Sequence, residues 1–545
     1  MDHRAHREIN PWLITWSVML ATFMEVLDTT VVNVSIPHIS GNLSASVDEG
    51  TWVVTSYLVS NAIVLPMSGW LASFFGRRRV LLFCVAGFSL TSLLCGLATS
   101  LDALIFFRIL QGITGGGMVP LAQSTMLESF APEKHGQAMA AYSIGILLAP
   151  IIGPTLGGWI TDSYTWRWIF FINVPVGVLS IILMGAFVWD PPYLKRPKGG
   201  IDFPGIFLLA LGFGSLQIVL DTGQKNDWFG ATSIRVYATL CVIGLVGMVI
   251  RELTARHPIV DLRALKNRTF AAGVFLMTVV GFVLYGSLLL LPIYLQTLLN
   301  YPALNSGLAL SPRGIGALIC TPIVGVLTSK RDPRKILGFG LAIGGLTMFQ
   351  LSRLSLDAGY WDIFWPQVLQ GVGLSCTFIP LAAASLSLIP KHKMSNATAI
   401  FNLMRNIGGS FGVALMTTFV ARRSQFHQNR LVEHITFYDQ RTRSILVQMK
   451  QFFILRGADP YTAERRALGA LYGEVQRQAS MLSFVEAFWL LSIVFWTVVP
   501  MVMLLNNPRH HFAKPEKVSA PPKEKLKSEY VKEPEHVEEP ELVHA

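Results

Sequence analysis

The stretch PMSGWLASFFGRRRVL, residues 66–81, decides the fold because the chain contains it twice. It recurs as PIVGVLTSKRDPRKIL at 322–337. Pro66, Gly69, Leu71, Ser73, Arg78 and Leu81 match Pro322, Gly325, Leu327, Ser329, Arg334 and Leu337 without a gap. Each copy joins two apolar runs through a basic loop, so both copies face the same way and mark parallel repeats. A second pair follows in each half. Leu110, Gln111 and Gly112 match Leu369, Gln370 and Gly371, and Pro120, Leu121 and Ala122 match Pro380, Leu381 and Ala382 with one residue of slip. Parallel halves that rock around a site near the bilayer midplane are a transporter device.

Working outward, apolar runs long enough to cross a bilayer recur along nearly the whole chain. Of its 545 residues 52% are hydrophobic and only 14% charged, against about a quarter charged in soluble domains. Spans of about 20 residues each are expected near 12–34, 51–74, 80–99, 103–126, 137–160, 168–189, 203–221, 232–250, 270–295, 306–328, 335–353, 364–388, 396–419 and 484–505. The first copy of the motif joins spans two and three, and the second joins spans ten and eleven. The eight-span offset is six plus an inserted pair. The expected organisation is an N-terminal segment 1–11, a six-helix half 12–190, an inserted pair 200–251, a second half 268–505 containing a long loop 421–480, and a disordered tail 506–545.

The net charge of +11 reads as topology, not as nucleic-acid binding, because the basic residues sit between apolar runs. Arg77, Arg78, Arg79, Lys134, Lys195, Arg196, Lys198, Arg251, Arg256, Arg263, Lys266, Arg268, Lys330, Arg331, Arg334, Lys335, Lys391 and Lys393 fall on the side of the termini. The short opposite loops carry only Arg167, Lys225, Arg235 and Arg353. The positive-inside rule makes both termini cytoplasmic. The long loop 421–480 translocates regardless of its charge, and within it RTRSILVQMKQFFIL is helix-like. Cys84, Cys95, Cys241, Cys320 and Cys376 all lie in apolar runs, which argues for packing and against a disulfide framework or metal site.

Charges inside the spans are the candidate chemistry. Glu25 and Asp28 share one face of the first span, where an ionised side chain costs about 3 kcal/mol or more. A carboxylate kept there faces a cavity or hydrogen-bonds its neighbours, and one that gains and loses a proton can couple proton entry to a conformational change. Two acids this close are candidates for coupled titration. Arg108 in the fourth span needs acceptors, from Asp28 or a backbone carbonyl, unless it snorkels to the interface. Its counterpart in the second half is Gln367, so the charge is present in one half only. Arg313 and Arg405 fall within about two turns of a span end, which suggests snorkelling, and Asp221 reads as a solvated cap. In the fifth span Gly145, Ala149, Gly153 and Gly157 recur every four residues, followed by Gly158. They form a stripe for close helix contact, while Pro150 and Pro154 bend the helix. The motif residues Gly69, Gly76, Arg77, Arg78, Arg79, Arg334 and Lys335 set topology. They are also candidates for a cytoplasmic gate, binding helix C-termini or acids in one conformation only.

Five strings carry a family resemblance: LDTTVVNVSIP at 27–37, GTWVVTSYLVSNAI at 50–63, FFRILQGITGGG at 106–117, APIIGPTLGGW at 149–159 and WRWIFFINVPVG at 166–177. With the repeated loop motif, they resemble the major facilitator superfamily, in its drug:proton antiporter branch with fourteen transmembrane helices, of the EmrB/QacA type. The resemblance spans essentially residues 10–505. It implies an all-α integral membrane protein with two parallel six-helix halves and an inserted helix pair. It also implies proton coupling through Asp28 and Arg108, and an antiporter motif on the fifth span. The implied activity is export of lipophilic compounds from the inner membrane, driven by the proton motive force with no cofactor or metal. The implied partners are membrane lipids, a periplasmic adaptor and an outer-membrane channel. Three positions depart from the pattern. Glu25 stands where the type has a neutral amide, Ala149 where it has Gly, and Ser73 and Ser329 where it has Asp. Other functions stay open: a metabolite or siderophore exporter, a facilitator without proton coupling, or a membrane-embedded enzyme or receptor. No GxxxxGK[ST] or HExxH string occurs to support ATP hydrolysis or zinc-dependent hydrolysis.

Overall fold

In the computed structural model, residues 10–190, 201–255, 258–436 and 438–505 are described. Expectations for residues 1–9, the tail 506–545, and the cations Lys195, Arg196, Lys198 and Arg256 fall outside them. The described part is helical throughout. The helices are α1 (Pro11–Asn42), α2 (Trp52–Phe75), α3 (Arg77–Leu97), α4 (Leu101–Ser129), α5 (His135–Ser163), α6 (Trp168–Phe187), α7 (Phe203–Thr222) and α8 (Thr232–Thr254). They continue as α9 (Arg268–Thr297), α10 (Ala303–Lys330), α11 (Pro333–Leu351), α12 (Tyr360–Leu386), α13 (Met394–Glu433), α14 (Gln440–Leu455) and α15 (Pro460–Val498). All fourteen expected spans are helical. Among the described residues, 12 helices are long and apolar enough to cross a membrane; α11 and α13 are the less apolar two.

Short connections carry the signals that stop and restart the helices. Asn10, Ser100, Asp202, Asn267 and Asp332 each cap the following helix with a side-chain oxygen that accepts a backbone N–H. Gly76, at φ 95°, turns the chain directly from α2 into α3.

The packing repeats as the sequence does. α1 packs on α5, α4 and α6, and α2 on α4; correspondingly α9 packs on α13, α12 and α15, and α10 on α12. The halves meet along α5, which lies against α10 and α12, and along α13, which lies against α2 and α4. Their backbones touch near the basic loops. A Cβ on Gly69 would lie 2.8 Å from Asn396 Cα, and one on Gly136 would lie 2.7 Å from the Gly325 carbonyl oxygen. α7 packs on α8 and touches both α2 and α13.

The segment 421–480 is not a loop. α13 and α15 run on as helices and α14 packs against α15. At 1.5 Å per residue the 40-residue α13 is about 60 Å long, twice a hydrocarbon core of about 30 Å. Paired side chains hold the extension together: Arg423 Nη2 donates to Glu486 Oε1 (2.7 Å), Gln428 Nε2 to Tyr472 Oη (2.9 Å), and Ser424 and Ser480 share a hydrogen bond (3.2 Å). Hydropathy falls after residue 420 because charged and polar residues follow, while the helix continues on these polar contacts. The helix-like string 441–455 lies within α14.

Candidate functional site

Asp28 and Arg108 meet at the centre of the first half. Arg108 Nη1 donates to Asp28 Oδ2 at 2.6 Å, and both side chains are fully buried. Asp28 Oδ1 accepts from Asn173 Nδ2 (2.7 Å) on α6 and Gln111 Nε2 (3.2 Å) on α4. Every one of these contacts donates to Asp28, the arrangement of an ionised carboxylate. Arg108 also donates from Nε to the Val53 carbonyl (3.0 Å) and from Nη1 to Gln111 Oε1 (2.8 Å), and its guanidinium lies 4.3 Å from the centroid of the Tyr57 ring. Side chain and backbone therefore both supply acceptors, and Arg108 does not snorkel. Asn173 is itself fixed by a hydrogen bond to Ser92 Oγ (3.0 Å). Five helices (α1, α2, α3, α4 and α6) thus contribute to one polar cluster inside an apolar bundle. Removing one partner of such a buried pair costs about 3–5 kcal/mol, because the other charge is left unpaired.

Glu25 lies one turn away but has its own partner. Asn61 Nδ2 on α2 donates to Glu25 Oε1 at 3.0 Å, and the carboxylate is buried. On α13 of the other half, Arg405 is likewise buried. Beside it, Asn402 Nδ2 of α13 donates to Gln123 Oε1 of α4 at 2.6 Å, a buried hydrogen bond between the halves. Glu25 and Asp28 share no hydrogen bond.

Two sequence expectations about intramembrane cations are corrected. Arg313 and Arg405 do not snorkel: they are 1% and 4% exposed. Their positions along the spans suggested a route to the interface, but their helix faces turn toward other helices and not toward lipid. Arg313 donates to Gln367 Oε1 (3.0 Å) and Gln370 Oε1 (2.5 Å), and Arg405 to Asn406 Oδ1 (3.4 Å). Nor is Asp221 a solvated cap. Its Oδ2 is buried and its Oδ1 accepts from Gln217 Nε2 (2.9 Å), because α7 packs over it against α2.

The glycine stripe of α5 faces α1. A Cβ on Gly145 would meet Met19, one on Gly153 would collide with Thr30, and one on Gly157 would lie 3.0 Å from Val31. Gly158 faces open space. Pro150 and Pro154 sit inside an unbroken helix. The opposite side of α5 carries the seam with α10, so one helix links the α1 acids to the second half.

The motif cations divide. Arg77 is buried, and its Nη2 donates to both carboxylate oxygens of Glu128, at 2.8 and 2.9 Å. Arg78 donates from Nη2 to the Gly185 carbonyl near the C-terminus of α6 (2.5 Å) and from its backbone to Asp190 Oδ1 (2.8 Å). Arg334 pairs with Asp332 at 3.0 Å and reaches the Leu505 carbonyl (3.4 Å). Burial pushes the Asp332 carboxyl up, but hydrogen bonds from Arg334 outweigh it and hold the group below its ordinary value. Arg79 and Lys335 are exposed. Ser73 and Ser329, at the expected Asp positions, hydrogen-bond the carbonyls of Gly69 and Gly325 on their own helices.

Sequence reasoning missed Gln111, Asn173, Asn61 and Ser92 as members of the site. Gln111 stood in the repeated triplet, and Asn61 and Asn173 stood as amides inside apolar strings, which is the signal that marks them.

Comparison with known proteins agrees with this architecture. A family model described as Major Facilitator Superfamily matches residues 18–413. The chain is 39% identical over 498 residues to the multidrug export protein EmrB of Haemophilus influenzae, covering 91% of this chain and 96% of that protein. It is 36% identical over 503 residues to the fatty acid resistance protein FarB of Neisseria gonorrhoeae, covering 91% and 96%. Among solved structures, that of the human organic anion transporter MFSD10 (TETRAN) matches with a TM-score of 0.54 over 89% of this chain and 99% of its own. At 11% identity that likeness shows the fold alone. The chain therefore belongs to the major facilitator superfamily: it is a multi-pass membrane transporter closely related to the EmrB-type multidrug export proteins, and not an enzyme.

Proposed function

We propose that this transporter is a proton-coupled antiporter that exports lipophilic compounds by alternating access. The observation that carries the reading is the fully buried Asp28–Arg108 pair, 2.6 Å apart within the spans. Such a pair is costly in hydrocarbon, and protonation of Asp28 removes the charge that holds Arg108. In the proposed cycle a proton from outside reaches Asp28, the contact with Arg108 loosens, substrate leaves outward, and the pair re-forms as the proton leaves inward. Each proton supplies about 2.3 kcal/mol per 100 mV of potential, besides the pH gradient. Export of drugs or fatty acids by this chain is supported by the names of its relatives.

The same reading assigns residues 12–190 and 268–505 to the two halves and 200–251 to the inserted pair. It places both termini in the cytoplasm by the distribution of Lys and Arg, and the protein in the inner membrane. The cations of α3 and α11 form the cytoplasmic gate, and the glycine face of α5 is the surface on which α1 shifts. The helical extension of α13, α14 and α15 is the contact for a periplasmic adaptor, itself joined to an outer-membrane channel. Exposed Leu455 and Tyr461, 89% and 71% accessible, are apolar surface of the kind such a partner covers.

The test is pH-driven dye export in inverted vesicles. Asp28→Asn should insert and fold but stop export. Full export by that variant removes Asp28 from the mechanism.

A further inference from the structure

The gap-free register that pairs Pro66 with Pro322 runs on toward the start of each helix. Nine residues before the prolines it sets Tyr57 against Arg313. Packing agrees. A Cβ on Gly112 would crowd the Tyr57 carbonyl and the Asn61 nitrogen, and a Cβ on Gly371 would crowd the Arg313 carbonyl and the Ala317 nitrogen. Gly112 and Gly371 are themselves repeat partners. The two halves therefore build the same polar cluster with the charges in different places.

In the first half the cation is Arg108 on α4, lying over Tyr57 and paired with Asp28 on α1. In the second half α12 carries Gln367 where α4 has Arg108, and the cation sits on α10 as Arg313. Gln370, the counterpart of Gln111, donates not to a carboxylate but to Ser287 Oγ on α9, at 3.3 Å. No acid replaces Asp28: among the described residues no carboxylate lies within 4.0 Å of Arg313.

Arg313 is nonetheless 1% exposed, and its two acceptors are neutral amides. Its Nη1 has no hydrogen-bond partner, and neither has the buried Nε2 of Gln367 beside it. A buried guanidinium without a counter-charge is unfavourable, and two buried donors left open add to that cost. The surroundings are hydrocarbon: Ala309 and Leu310, one turn before Arg313, belong to a buried cluster with Leu290, Leu291 and Met348. The neighbouring Gly314 abuts Ile151 of α5, so this stretch of α10 also meets the seam between the halves.

We infer that Arg313 and Gln367 form an anion subsite for the carboxylate of a lipophilic acid, with Arg313 Nη1 and Gln367 Nε2 donating to its oxygens and its chain lying against the apolar wall. A carboxylate supplies both the missing charge and two acceptors, and its tail suits the cluster better than a hydrated inorganic ion does. The subsite names a substrate class within the export reading and rests on it.

The test uses the full-length protein in lipid nanodiscs and two labelled probes of matched chain and opposite charge, dodecanoate and dodecyltrimethylammonium. Arg313→Gln should weaken dodecanoate binding about 10- to 100-fold, the range of one charge-assisted contact, and leave the ammonium probe within about two-fold. Ser287→Asp supplies an internal acid where the first half has one. It should fold at least as well as wild type and also lose dodecanoate, so it decides the matter if Arg313→Gln does not fold. Undiminished dodecanoate binding in these variants, equal loss of both probes, or displacement of dodecanoate by millimolar chloride overturns the subsite. Asp28→Asn should still bind dodecanoate. Full export by Asp28→Asn, with dodecanoate loss confined to the α9 and α10 variants, would defeat the proton-coupling reading and leave the subsite standing.

Discussion

Arg108 Nη1 stands 2.6 Å from Asp28 Oδ2 in a fully buried contact between α4 and α1. The pair is not isolated: Gln111 bonds both members and Asn173 holds the second carboxylate oxygen. Such a network fixes one geometry while both charges are present and loses its centre when one is neutralised. That is the behaviour a proton-driven switch needs.

Arg108→Gln should destabilise the protein by about 3–5 kcal/mol, because it leaves Asp28 buried and unpaired. Adding Asp28→Asn should recover part of that loss, since an amide pair in place of the ion pair leaves no bare charge. Thermal midpoints of the two single variants and the double variant check this. Additive losses would mean that the two charges do not depend on each other.

Glu25 is separable from this pair. It takes its hydrogen bond from Asn61, not from Arg108 or Asp28. Glu25→Gln preserves an acceptor for Asn61 and should therefore retain substrate-induced proton release by purified protein, while Asp28→Asn abolishes it. Loss of proton release in Glu25→Gln would show that the two acids act as one titrating unit despite their separate partners.

The sequence showed Asp28 and Arg108 because a charge inside an apolar run stands out on hydropathy alone. It did not show their supports, since Gln111, Asn173 and Asn61 are neutral and lower the hydropathy of a span only slightly. Position along a span says how deep a residue lies but not which face it occupies, and for that reason it suggests snorkelling for Arg313 and Arg405 while the structure buries them. The helical extension was hidden for a related reason. Hydropathy reports where lipid ends, and α13 keeps its helix beyond that point through contacts such as Arg423–Glu486.

Closure at the end carrying the basic loops depends on glycine. A Cβ on Gly69 would lie 2.8 Å from both the Cα and the backbone nitrogen of Asn396, and backbone cannot move aside as a side-chain tip can. Gly69→Val should therefore force α2 and α13 apart and raise the population open at that end. Spin labels on exposed Arg79 and Lys393 should report a longer distance by pulsed dipolar spectroscopy. An unchanged distance distribution would mean that this contact does not hold the halves together.

The extension makes the last prediction, because its ends are already helical and stapled. Arg423 and Glu486 join α13 to α15 just beyond the apolar run that ends near residue 420, so the part beyond them can be removed without cutting a span. Replacing residues 434–459 by a short Gly/Ser linker should leave insertion, thermal stability and dye export by inverted vesicles within about two-fold of wild type, since these residues touch neither Asp28 nor Arg108. Resistance of whole cells should fall steeply, because export across two membranes needs the adaptor that the extension is proposed to dock. Full resistance in cells carrying the shortened protein would show that the adaptor docks elsewhere or is not used. Loss of export in vesicles would instead make the extension part of the transport cycle itself, reached through α13, whose Asn402 bonds Gln123 across the halves.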